Sequence, residues 1–190
     1  MQSFLPDIDE CINHLNKGNL ILYPTDTIWG IGCDAMNENA VEKIYKLKKR
    51  SDEKAMIVLV AHETEVMKYV KELDRSLFDY FKKMTKPTTV IYNNAIGLAN
   101  NLIAKDGSIG MRVCYDEFCS GLMKKFGKPI VSTSANISGK PFPRNFSEIS
   151  DEIKSGVDYI VQYRQEDKTP VEPSSIVRWN SNGTVTVLRQ

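Results

Sequence analysis

The chain of 190 residues is 42% hydrophobic and 26% charged and carries a formal net charge of +1, values that are ordinary for a globular protein. This composition excludes a disordered or fibrous chain, and the nearly balanced charge means that any anion site must come from a local cluster of cations. The length fits a single domain over residues 1–190.

No apolar run reaches the roughly 18 residues that would cross a bilayer, and the N-terminus lacks the basic-then-apolar pattern of a secretory signal. We therefore expect a cytoplasmic protein with no membrane partner. Its four cysteines form no C-x-x-C pair and have no metal-like spacing with its two histidines. Reduced, mostly buried thiols are the expectation, without a metal site built from side chains.

The start of the chain predicts a helix, a strand and a turn. Apolar residues recur at helical spacing between Asp7, which is placed to cap the helix, and Gly18, which is placed to end it. A buried strand at 19–23 follows, and Pro24 stops it. After a polar turn, the Gly-interrupted segment 28–33 is typical of a strand or loop where backbone approaches a ligand or another segment closely.

A second helix begins at Asn37 and ends in a group of cations. This basic cluster consists of Lys46, Lys48, Lys49 and Arg50. Cations at a helix C-terminus complement the helix dipole by roughly 0.3 to 1 kcal/mol each, so the cluster has a purely structural explanation. It also precedes an apolar strand at 55–61, and it could face the same cavity as the polar turn at 24–27.

The middle of the chain continues the alternation of helices and strands. Residues 64–70 and 74–84 predict two consecutive helices, and residues 87–92 predict a strand with its Pro at the entry. The connection 93–107 is long and polar, and connections of that length tend to be functional or mobile.

Two features of the next segments are candidates for ligand binding. Arg112 lies among apolar neighbours in a predicted strand, so it needs a partner anion, either in a structural ion pair or in a ligand. The predicted buried strand 129–131 runs into 132–139, a loop dense in hydroxyls and small residues. Such a loop is either a flexible turn or an anion and nucleotide site, and Arg144 lies within reach of it.

The end of the chain completes the fold prediction. Residues 174–179 and 184–189 alternate across Asn182-Gly183, which indicates a two-stranded hairpin. Alternating strands and helices that close with a hairpin predict an α/β fold, in which one open, twisted mixed sheet with an antiparallel edge is flanked by helices.

Missing motifs exclude several common enzyme classes. There is no G-x-x-x-x-G-K-[ST] phosphate loop, and the loose G-x-G-x-x-A match at 30–35 is separated from the preceding strand by the polar turn. Neither histidine is placed to act in a Ser-His-Asp hydrolase, and no paired carboxylates suit glycoside chemistry. The remaining cations and hydroxyls suit a polyphosphate site that works by positioning and charge stabilisation.

A set of motifs occurs in order along the chain. It comprises Tyr23-Pro24-Thr25-Asp26-Thr27, Trp29-Gly30-Ile31-Gly32, Lys48-x-Arg50 with Lys54, Pro87-x-Thr89, Arg112, Ser134-x-Asn136 with Ser138-Gly139, and Pro173-Ser174-Ser175-Ile176-Val177. Together these motifs resemble those of the YrdC-domain family, the threonylcarbamoyl-AMP synthases. The resemblance covers residues 8 to 180, and the ordered set is far more specific than any single motif.

The resemblance implies an enzyme that converts ATP, bicarbonate and L-threonine into threonylcarbamoyl-AMP and pyrophosphate, with Mg2+ held mainly by phosphate oxygens. It implies that the product passes to a partner complex that modifies the adenosine beside the anticodon of tRNA, and that any direct RNA binding is weak. The family fold is an open α/β structure with a concave, basic cavity. The chain looks like the short, single-domain bacterial form.

The resemblance also assigns site residues. The catalytic candidates are Lys48, Arg50, Ser134 and Asn136, and of these the two cations are expected to neutralise the triphosphate. The ATP-binding candidates are Arg50, Lys54, Thr89, Ser134, Asn136 and Arg144. The threonine-binding candidates are Thr27, Arg112 and Ser175.

Two alternatives remain open. A YciO-like paralogue would share the fold but have a degraded set of these motifs, so the intact Lys-x-Arg and Ser-x-Asn motifs favour the synthase. An RNA-binding module would use the basic cavity without chemistry, and the net charge of +1 and the lack of an RNA-recognition motif count against it. The chain also departs from the family pattern, since Trp29 stands where Tyr is usual and Leu59 where some members have His.

Overall fold

A mixed sheet organises the computed structural model of the chain, which describes residues 4–50, 56–74, 76–81, 84–180 and 183–190. Its strands are β1 (Ile21–Tyr23), β2 (Gly30–Gly32), β3 (Ile57–Val60), β4 (Thr88–Tyr92), β5 (Ile109–Val113), β6 (Ile130–Ser134), β7 (Tyr159–Ile160), β8 (Ser175–Trp179) and β9 (Val185–Arg189). Their order across the sheet is β7-β1-β2-β6-β3-β5-β4-β8-β9. Three neighbouring pairs are parallel, β1 with β7, β3 with β5 and β4 with β8, and the others are antiparallel. The predicted α/β fold with a mixed sheet and a closing hairpin is confirmed.

Helices flank this sheet. They are α1 (Leu5–Asn16), α2 (Glu38–Lys48), α3 (Leu77–Phe81), α4 (Glu117–Phe126) and α5 (Asp151–Ser155), with short 3-10 helices at Glu63–Lys68, Asn100–Leu102 and Phe146–Glu148. Asn37 caps α2 as predicted, because its side chain accepts a hydrogen bond from the backbone N–H of Ala40. Gly18, with φ of 68°, follows the end of α1. No helix in the described ranges is long and apolar enough to cross a bilayer.

The prediction that Asp7 caps the first helix is wrong, because Phe4 occupies the N-cap position. The Asp7 carboxylate is instead 6% exposed and lies inside the first turn. It accepts hydrogen bonds from the Tyr159 hydroxyl at 2.6 Å and from the backbone N–H groups of Gln162 and Tyr163, each at 3.0 Å. This carboxylate therefore joins α1 to the end of β7, a long-range contact that local sequence does not reveal.

The long connection 93–107 packs against α2. The backbone N–H of Ala99 donates to the carbonyl of Ala35 at 2.9 Å, and the Tyr45 hydroxyl donates to the carbonyl of Asn101 at 3.1 Å. These hydrogen bonds fix the position of the long polar connection beside α2.

Strand β6 extends farther than the sequence indicated. The predicted loop begins at Ser132, but Ser132 pairs with Ile57 of β3, and β6 continues to Ser134 because its last two residues pair with β2. The approach of β2 to β6 requires glycine. A Cβ atom at Gly32 would lie 2.9 Å from the carbonyl oxygen of Val131, so the predicted close approach of backbone is confirmed and is made to another strand.

The Asp7 contact generates a stability prediction. Replacing Asp7 by Ala leaves a partly buried hydroxyl and two backbone N–H groups without their acceptor, so we expect the free energy of unfolding to fall by about 3 kcal/mol. Asp9→Ala is the matched control, since Asp9 is an exposed partner of Lys125 and should change the free energy by less than about 1 kcal/mol. Urea denaturation of both variants measures the difference. Equal losses would contradict the role given to Asp7.

Candidate anion-binding cavity

A cavity of about 310 Å3 opens on one face of the sheet, and it is called the central cavity below. Its polar lining comprises Thr27, Arg50, Arg112, Ser132, Thr133, Ser134, Asn136, Lys140, Ser174 and Arg189. Apolar residues that include Trp29, Ile57, Phe142 and Ile176 complete the lining. The volume falls at the lower end of the range usual for small-molecule sites.

The register of the sheet decides which side chains reach this cavity. Ile57 of β3 is paired with Ser132 of β6 on one side and with Gly110 of β5 on the other. Residues paired directly across a sheet point to the same face, and Arg112 lies two residues beyond Gly110 on that face. A Cβ at Gly110 would contact Thr89 of β4 at 3.4 Å, which extends the same face to the neighbouring strand.

A hydrogen-bond network forms the buried end of the cavity. Arg112 is 4% exposed, and its Nη1 donates to the Thr27 hydroxyl at 2.8 Å. Thr25 donates its single hydroxyl proton to the carbonyl of Ile28 at 2.9 Å, so in the 3.0 Å contact between the two threonine hydroxyls Thr27 is the donor. The Thr27 hydroxyl thus accepts a hydrogen bond from the Arg112 guanidinium and donates one to Thr25. These two bonds fix the orientation of the Thr27 hydroxyl.

The charge of Arg112 is only partly matched within the protein. Its Nη2 lies 3.3 Å from Oδ1 of Asp26, but Arg112 Nε and Asp26 Oδ1 are buried without a hydrogen-bond partner in the described part of the chain. Buried polar atoms usually have a partner, and those that lack one often mark a functional site. Of the two possibilities raised by the sequence, the structural ion pair is present, and Arg112 stays a candidate for an anion contact.

Lys48 is buried behind the cavity, although it ends a helix in the basic cluster. Its Nζ donates to the carbonyls of Ser134 and, at 2.6 Å, of Asn136, while its own carbonyl accepts from the N–H of Ser138 at 2.9 Å. Burial, together with the nearby charge of Arg50, lowers the pKa of the Lys48 amine to about 7. Lys48 does not line the cavity here, so its geometry is that of a residue that positions the loop after β6.

The loop after β6 also holds itself in place. The side-chain amide of Asn136 donates to the carbonyl of Ile137 at 3.2 Å and to that of Lys140 at 2.6 Å. Gly139 has φ of 81°, a conformation that glycine adopts without strain. Together these features turn the chain so that Lys140 and Phe142 line the cavity.

The other cations of the basic cluster have separate partners. Lys49 has φ of 50° at the C-cap of α2, and its ammonium pairs with Glu152 of α5 at 2.7 Å. Arg50 follows this turn, is half-buried and lines the central cavity. Burial lowers the pKa of Arg50 below its ordinary value, yet a guanidinium in a protein remains protonated. Lys54 lies outside the described residues.

Another wall of the cavity lies at the start of β8, where Ser174 precedes the strand and Thr89 of β4 is its neighbour. Thr89 is 1% exposed, and its hydroxyl bonds that of Ser174 at 2.9 Å. Ser174 and Ile176 line the cavity, whereas Ser175 between them does not, because successive residues of a strand point to opposite faces. The structure thus brings Ser174 to the cavity in place of the candidate Ser175, and Thr89 supports Ser174 from behind.

Arg144 is not brought to the central cavity. It lines a smaller pocket of about 200 Å3, together with Arg164 and Asp167. Thr27 and Trp29 line both spaces and separate them. Arg144 was predicted to lie near the loop after β6 because it follows that loop in sequence, but its side chain lines the smaller pocket instead.

Sequence reasoning missed several cavity residues. Arg189 lines the cavity and donates from Nη2 and Nε to the carbonyl of Ser174 at 2.7 and 3.1 Å. Its pairing with Ile176 follows an irregularity in the register of β8 and β9, which the hairpin pattern does not show. Ser132 was predicted in a loop, and alternation along β6 from the candidate Ser134 would have found it.

The arrangement suits binding and positioning of anions. Guanidinium groups of Arg50, Arg112 and Arg189 meet hydroxyls and backbone groups in one cavity. In the described part of the chain, no group of three or more His, Cys, Asp or Glu residues is placed to hold a metal ion.

Comparison with known sequences places the chain among related proteins. The family model Sua5_yciO_yrdC, described as "Telomere recombination", matches residues 13–190. The threonylcarbamoyl-AMP synthase of Blochmanniella pennsylvanica is 33% identical over 153 residues, which are 78% of this chain and 78% of the relative. The threonylcarbamoyl-AMP synthase of Cellvibrio japonicus is 36% identical over 151 residues, which are 77% and 78% of the two chains.

Comparison with solved structures supports the fold. The P. abyssi Sua5 structure complexed with L-threonine has a TM-score of 0.85 at 23% identity, covering 96% of this chain and 53% of that one. E. coli YciO has a TM-score of 0.84 at 24% identity, covering 97% and 89% of the two chains. At these identities the likeness establishes a shared fold.

The buried Lys48 amine makes a pH-dependent prediction. Because its pKa is about 7 in the folded chain and near 10.5 when unfolded, the unfolded chain binds more protons between these values, and the free energy of unfolding rises with pH there. Lys48→Met removes this contribution. The difference in unfolding free energy, wild type minus Lys48→Met, should therefore grow by about 2 kcal/mol between about pH 7 and 9.

Lys46→Met is the control for this measurement, since Lys46 is exposed and pairs with Glu42 at 3.5 Å. The difference in unfolding free energy between wild type and Lys46→Met should not change with pH over the same range. Urea denaturation at several pH values measures both. A flat difference for Lys48→Met would show that its amine is not held in the buried contact described above.

Proposed function

The chain belongs to the Sua5, YciO and YrdC family, and from this membership and the geometry of the central cavity we propose that it is a threonylcarbamoyl-AMP synthase. The proposed substrates are ATP, bicarbonate and L-threonine, and the products are threonylcarbamoyl-AMP and pyrophosphate. This makes it a nucleotidyltransferase that transfers the adenylyl group to a carbamate. The observation that carries the proposal is the convergence of separate guanidinium groups on one cavity, in a chain whose relatives bear that name.

We assign the phosphate end of the cavity to Arg50 and the loop after β6. Arg50 would neutralise the triphosphate and the charge that develops at the α-phosphorus, while Ser134 and Asn136 would position phosphate oxygens. Lys48 would act from behind this wall by holding the carbonyls of both loop residues. Its proposed role is positioning in this conformation, which differs from the direct phosphate contact expected from the resemblance.

We assign the amino-acid end to the buried network around Arg112. Its guanidinium has unused hydrogen-bonding capacity, and Thr27 supplies a fixed hydroxyl beside it. A carboxylate matches a guanidinium in shape and charge, so the carboxylate of threonine is the proposed ligand. Ser174 takes the place proposed for Ser175 on the cavity wall, since its side chain is on the correct face.

The proposed reaction balances as two condensations. The amino nitrogen of threonine and the carbon of bicarbonate join as a carbamate with loss of water, and a carbamate oxygen then displaces pyrophosphate from the α-phosphorus of ATP. Few acid or base side chains line the cavity, so the rate would come from alignment and charge stabilisation. Mg2+ would arrive as the ATP complex, held mainly by phosphate oxygens.

The product is a reactive mixed anhydride and needs an acceptor. We propose that it passes to a partner complex that modifies the adenosine beside the anticodon of tRNA. Direct RNA binding by this chain would be weak, because its charge is nearly balanced overall.

The first test is turnover by the purified protein. With ATP, bicarbonate and L-threonine, we expect pyrophosphate release that depends on threonine, measured by a coupled pyrophosphate assay. The control replaces L-threonine by D-threonine, which presents the same groups in a different arrangement. If ATP binds but no threonine-dependent release occurs, the proposal is wrong and a YciO-like paralogue without this activity is favoured.

The second test separates the cations of the basic cluster. Arg50→Ala should lower kcat/KM more than tenfold, which corresponds to roughly 1.4 kcal/mol or more of lost transition-state stabilisation. Lys49→Ala should be nearly neutral, because Lys49 pairs with Glu152 outside the cavity. Steady-state kinetics of both variants provide the comparison. Similar losses in the two variants would mean that the cluster is a generic charged surface.

A further inference from the structure

An aromatic side chain stands exposed at the rim of the central cavity. Phe142 is 42% exposed, and among the large hydrophobic side chains exposed in the described ranges it alone lines the cavity. It makes no ring contact with another aromatic residue in that part of the chain, whereas Trp29 in the same cavity packs on Phe146 at 4.9 Å. Packing in the hydrophobic core therefore does not account for an aromatic side chain at position 142.

The backbone holds Phe142 at a defined place. It lies between Pro141 and Pro143, whose rings fix the φ angles on both sides. The carbonyl of Lys140 accepts the 2.6 Å hydrogen bond from the side-chain amide of Asn136. The Phe142 ring thus belongs to the same loop as Asn136, a candidate phosphate contact. The hydrogen bond from Asn136 to Lys140 holds the backbone two residues before the ring.

The chemistry of the rim differs from that of the buried end. Arg112 and Thr27 are 4% and 8% exposed and offer a charge and a hydroxyl, which suit a carboxylate. The rim offers a flat apolar ring close in sequence to Lys140, and a nucleobase has a flat face that stacks on such a ring. Threonine has no flat face and gains little from this contact.

We propose that Phe142 stacks on the base of the nucleotide and thereby sets the end of the cavity at which the base lies. The inference rests on the proposed function, because it takes a nucleoside triphosphate as the ligand. Every base has a π-face, so stacking contributes affinity without selecting one base. Phe142 accordingly strengthens binding of ATP and GTP by a similar factor and leaves the phosphate contacts unchanged.

The test compares a nucleotide with its phosphate chain alone. Calorimetric titration of the full-length chain with Mg-ATP, Mg-GTP and Mg-tripolyphosphate gives Kd for wild type, Phe142→Ala, Phe142→Trp and Tyr115→Ala. For Phe142→Ala we expect Kd to rise roughly tenfold for both nucleotides and to stay unchanged for tripolyphosphate. Phe142→Trp should bind nucleotide at least as well as wild type. Tyr115→Ala, which removes an aromatic ring 67% exposed outside the central cavity, should behave as wild type.

The outcomes separate this inference from the proposed function. Unchanged nucleotide affinity in Phe142→Ala, with wild type binding ATP, overturns the stacking role and leaves the synthase proposal standing. Parallel losses for nucleotide and tripolyphosphate also overturn it, because they indicate that the whole loop has moved. A wild-type protein that binds neither nucleotide overturns both.

Discussion

A buried lysine amine is the interaction on which the cavity depends. Lys48 is 1% exposed and joins the end of α2 to the loop after β6 through the carbonyls of Ser134 and Asn136. The amine also lies 3.5 Å from Oδ1 of Asn136, and burial lowers its pKa to about 7. Removing the amine would take a donor from each of these two carbonyls, although the Ser134 carbonyl would keep the N–H of Asn136 at 2.8 Å. The same loop carries Lys140 and Phe142 to the cavity, so one buried contact determines the position of a whole wall.

The sheet supplies the opposite wall by alternation. Arg112, Ser132 and Ile57 reach the cavity because the register of β3, β5 and β6 places them on one face. A shift of one residue would turn these side chains away. Arg112 adds a charge that Asp26 matches only in part, which leaves it able to bind a ligand. A rigid sheet on one side and a held loop on the other give a cavity that can align reactants without acid or base groups.

The sequence predicted the order of elements, which depends on local patterns, and five of its ten candidate site residues line the central cavity: Thr27, Arg50, Arg112, Ser134 and Asn136. Polar turns after apolar strands marked Thr27 and Ser134, and cations after a helix marked Arg50. Contacts between residues far apart in sequence determine the features that local patterns did not predict. Asp7 bonds residues more than 150 positions away, Lys48 is buried by a loop far along the chain, and the face on which Ser174 or Ser175 lies depends on β8. Such contacts leave no local signal, so composition and spacing could not assign them.

The central claim is that two ends of one cavity bind different anions, a carboxylate at Arg112 and phosphate at Arg50. A crystal structure with L-threonine and a non-hydrolysable ATP analogue tests it most directly. We expect the threonine carboxylate within hydrogen-bonding distance of the Arg112 guanidinium and the triphosphate beside Arg50 and Ser134. Phosphate bound at Arg112, or threonine bound outside the central cavity, would contradict the claim.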